Sequence, residues 1–335
     1  MPKTQTEIYR RKTKTEIAAE FIQRFPNSDN RTIARVMHKE RPKVFPNLDS
    51  ARTIVRILRG AAGGKAVSNH EHIKPIGWQK TQMPEGQSKS RFELAITGKH
   101  KVLVISDLHV PYHDHNAVKV ALDYGKRERC DIILINGDFG DFYAVSRHDK
   151  DPTRILADEI DECRKMLAHI RGRFPDARII FKVGNHEDRM ERFLVKNAPV
   201  LLGCSEFRVQ DILHLEKYGI EFVPSLGLTW IGKLPVYHGH ELPKGMSSPV
   251  NPARGIWMRL QESGMCGHWH RSSTHFEKTG VKQKVKGCWS LGCLCDMQPE
   301  YAPVNKWSHG FAVVTLDEDG SYDVDNKTII GGIVK

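Results

Sequence analysis

The chain has 335 residues, with 51 Lys and Arg against 40 Asp and Glu, a net charge of +11. That length allows one large domain plus a small one, and no run approaches the roughly 20 apolar residues needed to cross a bilayer. The start, Met1-Pro2-Lys3-Thr4, lacks the apolar core of a secretion signal, and seven cysteines fit reduced thiols better than a disulfide framework, so the expectation is a cytoplasmic protein with no membrane partner.

Residues 1–65 carry 15 Lys/Arg and 6 Asp/Glu, a net of +9, which leaves +2 for residues 66–335. Such asymmetry points to an anionic partner, nucleic acid first, against the plainer reading of a solvated basic face. Apolar residues at helical spacing, Ile17, Ala18, Phe21, Ile22 and Phe25, predict a helix within 7–25 that stops at Pro26. Asp29 or Asn30 can cap a second through Ile33, Ala34, Val36 and Met37, ending before Pro42. Asp49 or Ser50 can cap a third through Ile54, Val55, Ile57 and Leu58, closed by Gly60. Arg52, Arg56 and Arg59 recur at i, i+4 and i+7 and share one face of it. Residues 1–62 therefore read as a basic helical module of helix-turn-helix type with these arginines as its nucleic-acid contacts. The alternative is a protein-docking module whose arginines face water.

Residues 63–99, with Gly63-Gly64, Pro75, Gly77, Pro84 and Gly86, read as a linker, Trp78 and Phe92 being candidate anchors. From Lys101 the pattern changes. Short apolar runs at 102–105, 132–135 and 178–183 alternate with helical stretches at 115–129 and 153–171. That alternation predicts a parallel sheet with right-handed crossovers. Further helices are predicted at 188–197, 205–217 and 252–262. Strands are predicted at 221–223, 228–231, 235–237, 273–276, 285–289, 311–316 and 322–330, giving the second half a more antiparallel sheet.

In an open parallel sheet the site lies beyond the C-terminal ends of the strands. Asp107 and His109 follow the first apolar run, Asp138 and Asp141 the second, Asn185 and His186 the third. Five short blocks stand in order: Asp107-x-His109, Gly137-Asp138-x-x-Asp141, Gly184-Asn185-His186-Glu187, His238-Gly239 and Gly267-His268-x-His270. Together they resemble the calcineurin-like metallophosphoesterases, from about Lys101 to His270.

The resemblance implies an α/β fold, a four-layer α/β/β/α sandwich over residues 100–335, with two divalent metal ions at its centre. Asp107, His109, Asp138 and His270 would hold one ion. Asp138, Asn185, His238 and His268 would hold the other, Asp138 being shared. Mixed oxygen and nitrogen ligands suit manganese, the first expectation, and also Fe, Zn, Co or Ni. A hydroxide shared by the two ions would attack phosphorus. His186 would be the catalytic histidine, giving a proton to the leaving oxygen, and Asp141 would orient it. Arg189 and His113 are weaker candidates for substrate contacts. His240 reads as a neighbour of the site, and Cys288, Cys293 and Cys295 as buried thiols, because their spacing fits no common zinc module.

The Ser/Thr protein phosphatases of the superfamily carry Arg-Gly directly after the second aspartate of block two, where this chain has Phe142-Tyr143. The layout, a basic helical module and then a compact phosphoesterase domain, is similar to phosphoesterases of phage and bacterial genomes. The expected function is a phosphodiesterase acting on nucleic acid or nucleotides. The alternatives are a phosphomonoesterase for small molecules or proteins, and a DNA-binding regulator with a non-catalytic phosphoesterase scaffold.

Overall fold

The structure, a computed structural model, describes residues 12–62, 83–88, 90–149, 151–243, 250–300 and 302–335. Residues 7–11 of the first predicted helix, and Trp78, lie outside these. The chain divides into two units, Met1–Ser88 and Lys89–Lys335.

The first unit contains helices α1 (Lys14–Arg24), α2 (Asn30–Glu40) and α3 (Leu48–Leu58). Thr13 and Glu16 form a capping box on α1. Asp29 caps α2 by accepting the N–H groups of Arg31 at 2.8 Å and Thr32 at 3.0 Å. Asn47 caps α3 through the Ser50 N–H at 2.7 Å, so this helix starts earlier than a cap at Asp49 or Ser50 would allow. Each helix buries one face: Ala18, Phe21 and Ile22, then Ile33, Ala34 and Met37, then Ala51, Val55 and Leu58, with Phe45 joining from the loop. Removing a large side chain such as Phe21 or Leu58 from water contributes about 1.5–3 kcal/mol, which helix propensity alone could not supply.

Arg59 does not extend the arginine stripe into solvent. Its guanidinium donates to the carbonyls of Phe25 (3.3 Å), Pro26 (3.0 Å) and Ser28 (2.6 Å) and to Asn30 Oδ1 (3.0 Å). It ties the end of α3 to the turn between α1 and α2, and leaves Arg52 and Arg56 exposed on that face.

The second unit is built from β1 (Glu93–Ile96), β2 (His100–Ile105), α4 (His115–Arg127), β3 (Ile132–Asn136), α5 (Leu156–Arg173), β4 (Arg178–Lys182), α6 (Asp188–Asn197), α7 (Val209–Ile212) and β5 (Ile220–Val223). It continues with β6 (Leu228–Ile231), β7 (Leu234–Tyr237), α8 (Pro252–Leu260), β8 (Gly264–Cys266), β9 (Ser273–Lys278), β10 (Val285–Ser290), β11 (His309–Leu316), β12 (Tyr322–Ile330) and β13 (Ile333–Val334). One sheet has the order β13-β12-β11-β2-β3-β4-β5, the other β1-β6-β7-β8-β10-β9.

Alternation within the central strands sorts their side chains between two cores. On β2, Leu103 and Ile105 face α4 and α5, packing with Ala121, Leu122, Leu167 and Ile170. Val102 and Val104 face the second sheet, meeting Ile231, Val236 and Met265. Helix α8 covers the far side of the second sheet through Ala253 and Ile256 against Cys266 and Cys288. The layers are therefore helix, sheet, sheet, helix. No described helix is long and apolar enough to cross a membrane.

Three expectations are corrected. Residues 93–96, inside the stretch read as linker, form β1 and pair in parallel with β6. The run at 205–217 is not one helix: only α7 forms there, between 3-10 turns, and His214 at φ 55° turns the backbone out of helical geometry. The second sheet is mixed rather than mainly antiparallel, with β7–β8 and β8–β10 parallel, because β11 and β12 leave it and extend the first sheet beside β2.

Candidate metal centre

The five blocks meet where strand ends of both sheets converge. Asp107 and His109 follow β2, Asp138 and Asp141 follow β3, and Asn185 and His186 follow β4, all from the first sheet. His238 follows β7, and His268 and His270 follow β8, from the second. Asp107, His109, Asp138, His238 and His270 are buried.

Local geometry explains the glycines. A Cβ on Gly184 would collide with Asp138 Oδ1 and its backbone nitrogen, and one on Gly267 with Ser106 Oγ and Asp107 Oδ2. Asp107, His109, Asp138, His268 and His270 themselves lie at φ between 50° and 69°, the left-handed region that non-glycine residues seldom occupy. Neighbouring side chains hold these turns. The buried Glu187 carboxylate accepts N–H groups from Asp138 (3.1 Å), Phe139 (2.6 Å), Gly140 (3.0 Å) and Gly184 (2.7 Å). Burial and Asp138 push Glu187 up to about 7. Those four donors favour the ionised form, and we assign it as a carboxylate. Glu159 on α5 likewise accepts the N–H groups of Phe142 and Tyr143.

Donor atoms crowd around Asp138. Its Oδ2 lies 3.1 Å from His238 Nε2, 3.7 Å from His186 Nε2 and 3.9 Å from His109 Nε2. His238 Nδ1 donates to the Asn136 carbonyl at 2.8 Å, which turns Nε2 towards Asp138 Oδ2 and towards Asn185 Oδ1 at 3.2 Å. Acceptors so close require positive charge between them. Burial opposes a charged His238 ring, but Asp138 outweighs it and pushes the group up to about 10. Asp138 is held well below the usual carboxylate range, His186 and His238 overcoming the burial that would raise it. Asp107, against the same opposing burial, is brought to about 2 by His270 and His238.

The second focus is His270, whose Nε2 lies 3.2 Å from Asp107 Oδ1 and 3.1 Å from His109 Nε2. Three overlapping groups have ligand atoms within 4.8 Å of one another: His109, His270 and Cys295; His109, Asp138 and His186; and Asp138, His238 and His268. Buried carboxylates with imidazoles and one amide are a donor set suited to divalent first-row metals. Asp138 belongs to two of the groups, as a shared carboxylate would.

His186 sits on the rim. Its Nδ1 donates towards Asp141, 2.9 Å from the carbonyl and 3.0 Å from Oδ1. The same Oδ1 accepts from His109 Nδ1 at 3.2 Å, so Asp141 orients two imidazoles at once. Arg189, in the first turn of α6, donates to the Asp141 carbonyl at 2.7 Å and to His186 Nε2 at 2.8 Å.

His113 does not join the cluster. Its side chain lines a groove of about 380 Å³ between α4 and α5, with Lys119, Lys165 and His169. His240 Nε2 accepts from Ser225 Oγ at 2.8 Å and is no neighbour of Asp138 in the three ligand groups. Cys295, read from sequence as a buried thiol, is buried and lies 3.9 Å from His270 Nδ1. Isolated bridges His113–Cys295 and Cys293–His309 bring it there, pairings that no local pattern announces.

The chain is 26% identical to the Gene 54 protein of Mycobacterium phage L5 over 231 residues, covering 65% of this chain and 89% of that one. It is also 26% identical to the Gene 54 protein of Mycobacterium phage D29, with the same coverage. Vacuolar protein sorting 29 from Cryptosporidium parvum aligns with 71% of this chain and 95% of its own, at 14% identity and a TM-score of 0.40. Residues 100–262 match the model of the calcineurin-like phosphoesterase family. Residues 100–262 therefore form a domain of calcineurin-like phosphoesterase type, a family of metal-dependent hydrolases of phosphoester bonds.

Proposed function

We propose that the protein hydrolyses phosphodiester bonds, in nucleic acid or nucleotides, at a centre of two divalent ions, manganese by preference. The observation that carries this reading is the gathering of imidazoles from both sheets around one buried carboxylate, that of Asp138. Asp107, His109, Asp138 and His270 would hold one ion, and Asp138, Asn185, His238 and His268 the other. Two such ions supply Lewis acidity towards a phosphoryl group and a nucleophile near neutral pH.

The chain's own groups do the rest. His186 keeps Nδ1–H towards Asp141, so Nε2 is the atom that passes a proton to the leaving oxygen. In the structure that nitrogen accepts from Arg189 Nη2. An incoming phosphoryl oxygen draws the guanidinium off Nε2 by offering a stronger, charge-assisted acceptor, and Nε2 then takes up a proton from water and gives that proton to the leaving oxygen. Arg189 thus fills from α6 the role of the arginine absent after Asp141. Substituting Arg189→Met should raise KM about tenfold to a hundredfold, the loss of one charge-assisted hydrogen bond, with Arg189→Lys intermediate. Steady-state kinetics on one substrate check this; an unchanged KM removes Arg189 from the substrate site.

Arg52 and Arg56 on α3 are the groups we place against a nucleic-acid backbone, within a net charge of +9 over residues 1–65. The experiment compares manganese-dependent cleavage of bis-p-nitrophenyl phosphate, p-nitrophenyl phosphate and a DNA or RNA duplex at several salt concentrations. Preference for the diester, and affinity for the duplex that falls steeply with salt, are expected. Arg52→Ala with Arg56→Ala should lower the salt slope by about 2, roughly one unit per lost phosphate contact. Faster turnover of the monoester would overturn the diester assignment. Salt-insensitive duplex binding would overturn the role of the module.

A further inference from the structure

Lys182 is the last residue of β4 and its side chain is 0% exposed. It shares a face with Ile180, which packs into the core between the two sheets. A lysine there is costly unless its ammonium is paired and hydrogen-bonded. Its Nζ reaches Glu241 Oε1 at 2.7 Å and donates to the Ser225 carbonyl at 3.1 Å. Glu241 belongs to the loop after β7 and is 5% exposed, so the pair crosses from the first sheet to the second inside the protein.

The carboxylate has further partners. Glu241 Oε1 accepts the His238 N–H at 3.1 Å, and Oε2 accepts the Gly239 N–H at 2.7 Å. These are the backbone groups that carry block four. Lys182 stands three residues before Asn185, and Glu241 three residues after His238, whose Nε2 and Asn185 Oδ1 lie 3.2 Å apart. The Lys182–Glu241 bond is therefore a direct tie between the strand end that bears Asn185 and the loop that bears His238. Asn136, the last residue of β3, makes a parallel tie by donating from Nδ2 to the Tyr237 carbonyl at 2.7 Å. The half of the centre around Asp107 is held by other bonds, from Ser106 Oγ at 2.6 Å and the His268 N–H at 2.9 Å.

We propose that Lys182 and Glu241 are positioning residues for the metal centre, fixing the second sheet's His238 at bonding distance from the first sheet's Asn185. A buried ion pair adds little net stability over a well-packed neutral pair, so its effect here is placement. Ligand-supporting contacts of this kind typically change metal affinity by about 10- to 100-fold. The inference rests on the two-ion reading above.

The test uses the full chain with Lys182→Met/Glu241→Gln, which neutralises both partners and strands no buried charge, and with Glu241→Asp, which keeps the charge and shortens the reach. Manganese binding is followed by titration calorimetry and by bound manganese per chain, with thermal unfolding of the metal-free proteins alongside. Wild type is expected to bind two ions. In the double variant one ion should bind about 10- to 100-fold more weakly, the other ion and the metal-free unfolding temperature staying near wild type. Glu241→Asp should show the same split in smaller degree. Two ions at wild-type affinity in both variants, or an equal weakening of both ions, overturns the positioning role and leaves the metal reading intact. A wild type that binds fewer than two ions overturns the metal reading and this inference with it.

Discussion

Replacing Asp138 with Asn is expected to remove bound metal and to lower turnover by at least about three orders of magnitude, the upper size of losing one preorganised electrostatic group. The substitution keeps the shape of the side chain and the oxygen that accepts the His186 N–H at 2.9 Å. It removes the negative charge that faces His238, His186 and His109 across 3.1, 3.7 and 3.9 Å. No other carboxylate belongs to two of the ligand groups among the described residues, so the two proposed ions would both lose their shared anchor. Bound metal per chain and initial rates read the two effects together. A variant that retains both ions and works at near wild-type speed would show that Asp138 does not hold the centre.

His186→Asn separates proton transfer from metal binding. Turnover should fall about 10²- to 10⁴-fold, the range for a positioned general acid, while metal content stays at the wild-type level. The geometry supports a role off the ions, because Nδ1 is committed to Asp141 and Nε2 points to Arg189. His186 also lies within ligand range of His109 and Asp138. Metal lost from the His186→Asn protein would therefore make it a ligand and end its assignment as the acid.

The centre was legible because chemistry and strand endings coincide. Buried strands such as β2, β3 and β4 are uninterrupted apolar runs, and Asp, Asn and His directly after them are hard to explain as packing. What sequence did not show depends on contacts between distant segments. β1 and β8, of four and three residues, are too short for any periodicity, and their pairing with β6, β7 and β10 is settled only in three dimensions. Lys182 interrupts the face set by Ile180 and looks like a strand's polar end until Glu241 is placed opposite it. Arg59 shares its spacing with Arg52 and Arg56, and only the carbonyls of residues 25–28 distinguish it. Helical spacing records which residues share a face; it does not record what that face touches.

The left-handed turns at Asp107, His109, Asp138, His268 and His270 carry a consequence for selection. Each costs on the order of 1–2 kcal/mol relative to a residue without a Cβ. Exchanging any of them for glycine would relieve that local strain, but it would also remove a side chain of the centre and the buried contacts it makes. Turnover, not the ease of the backbone, is what keeps these side chains at these turns.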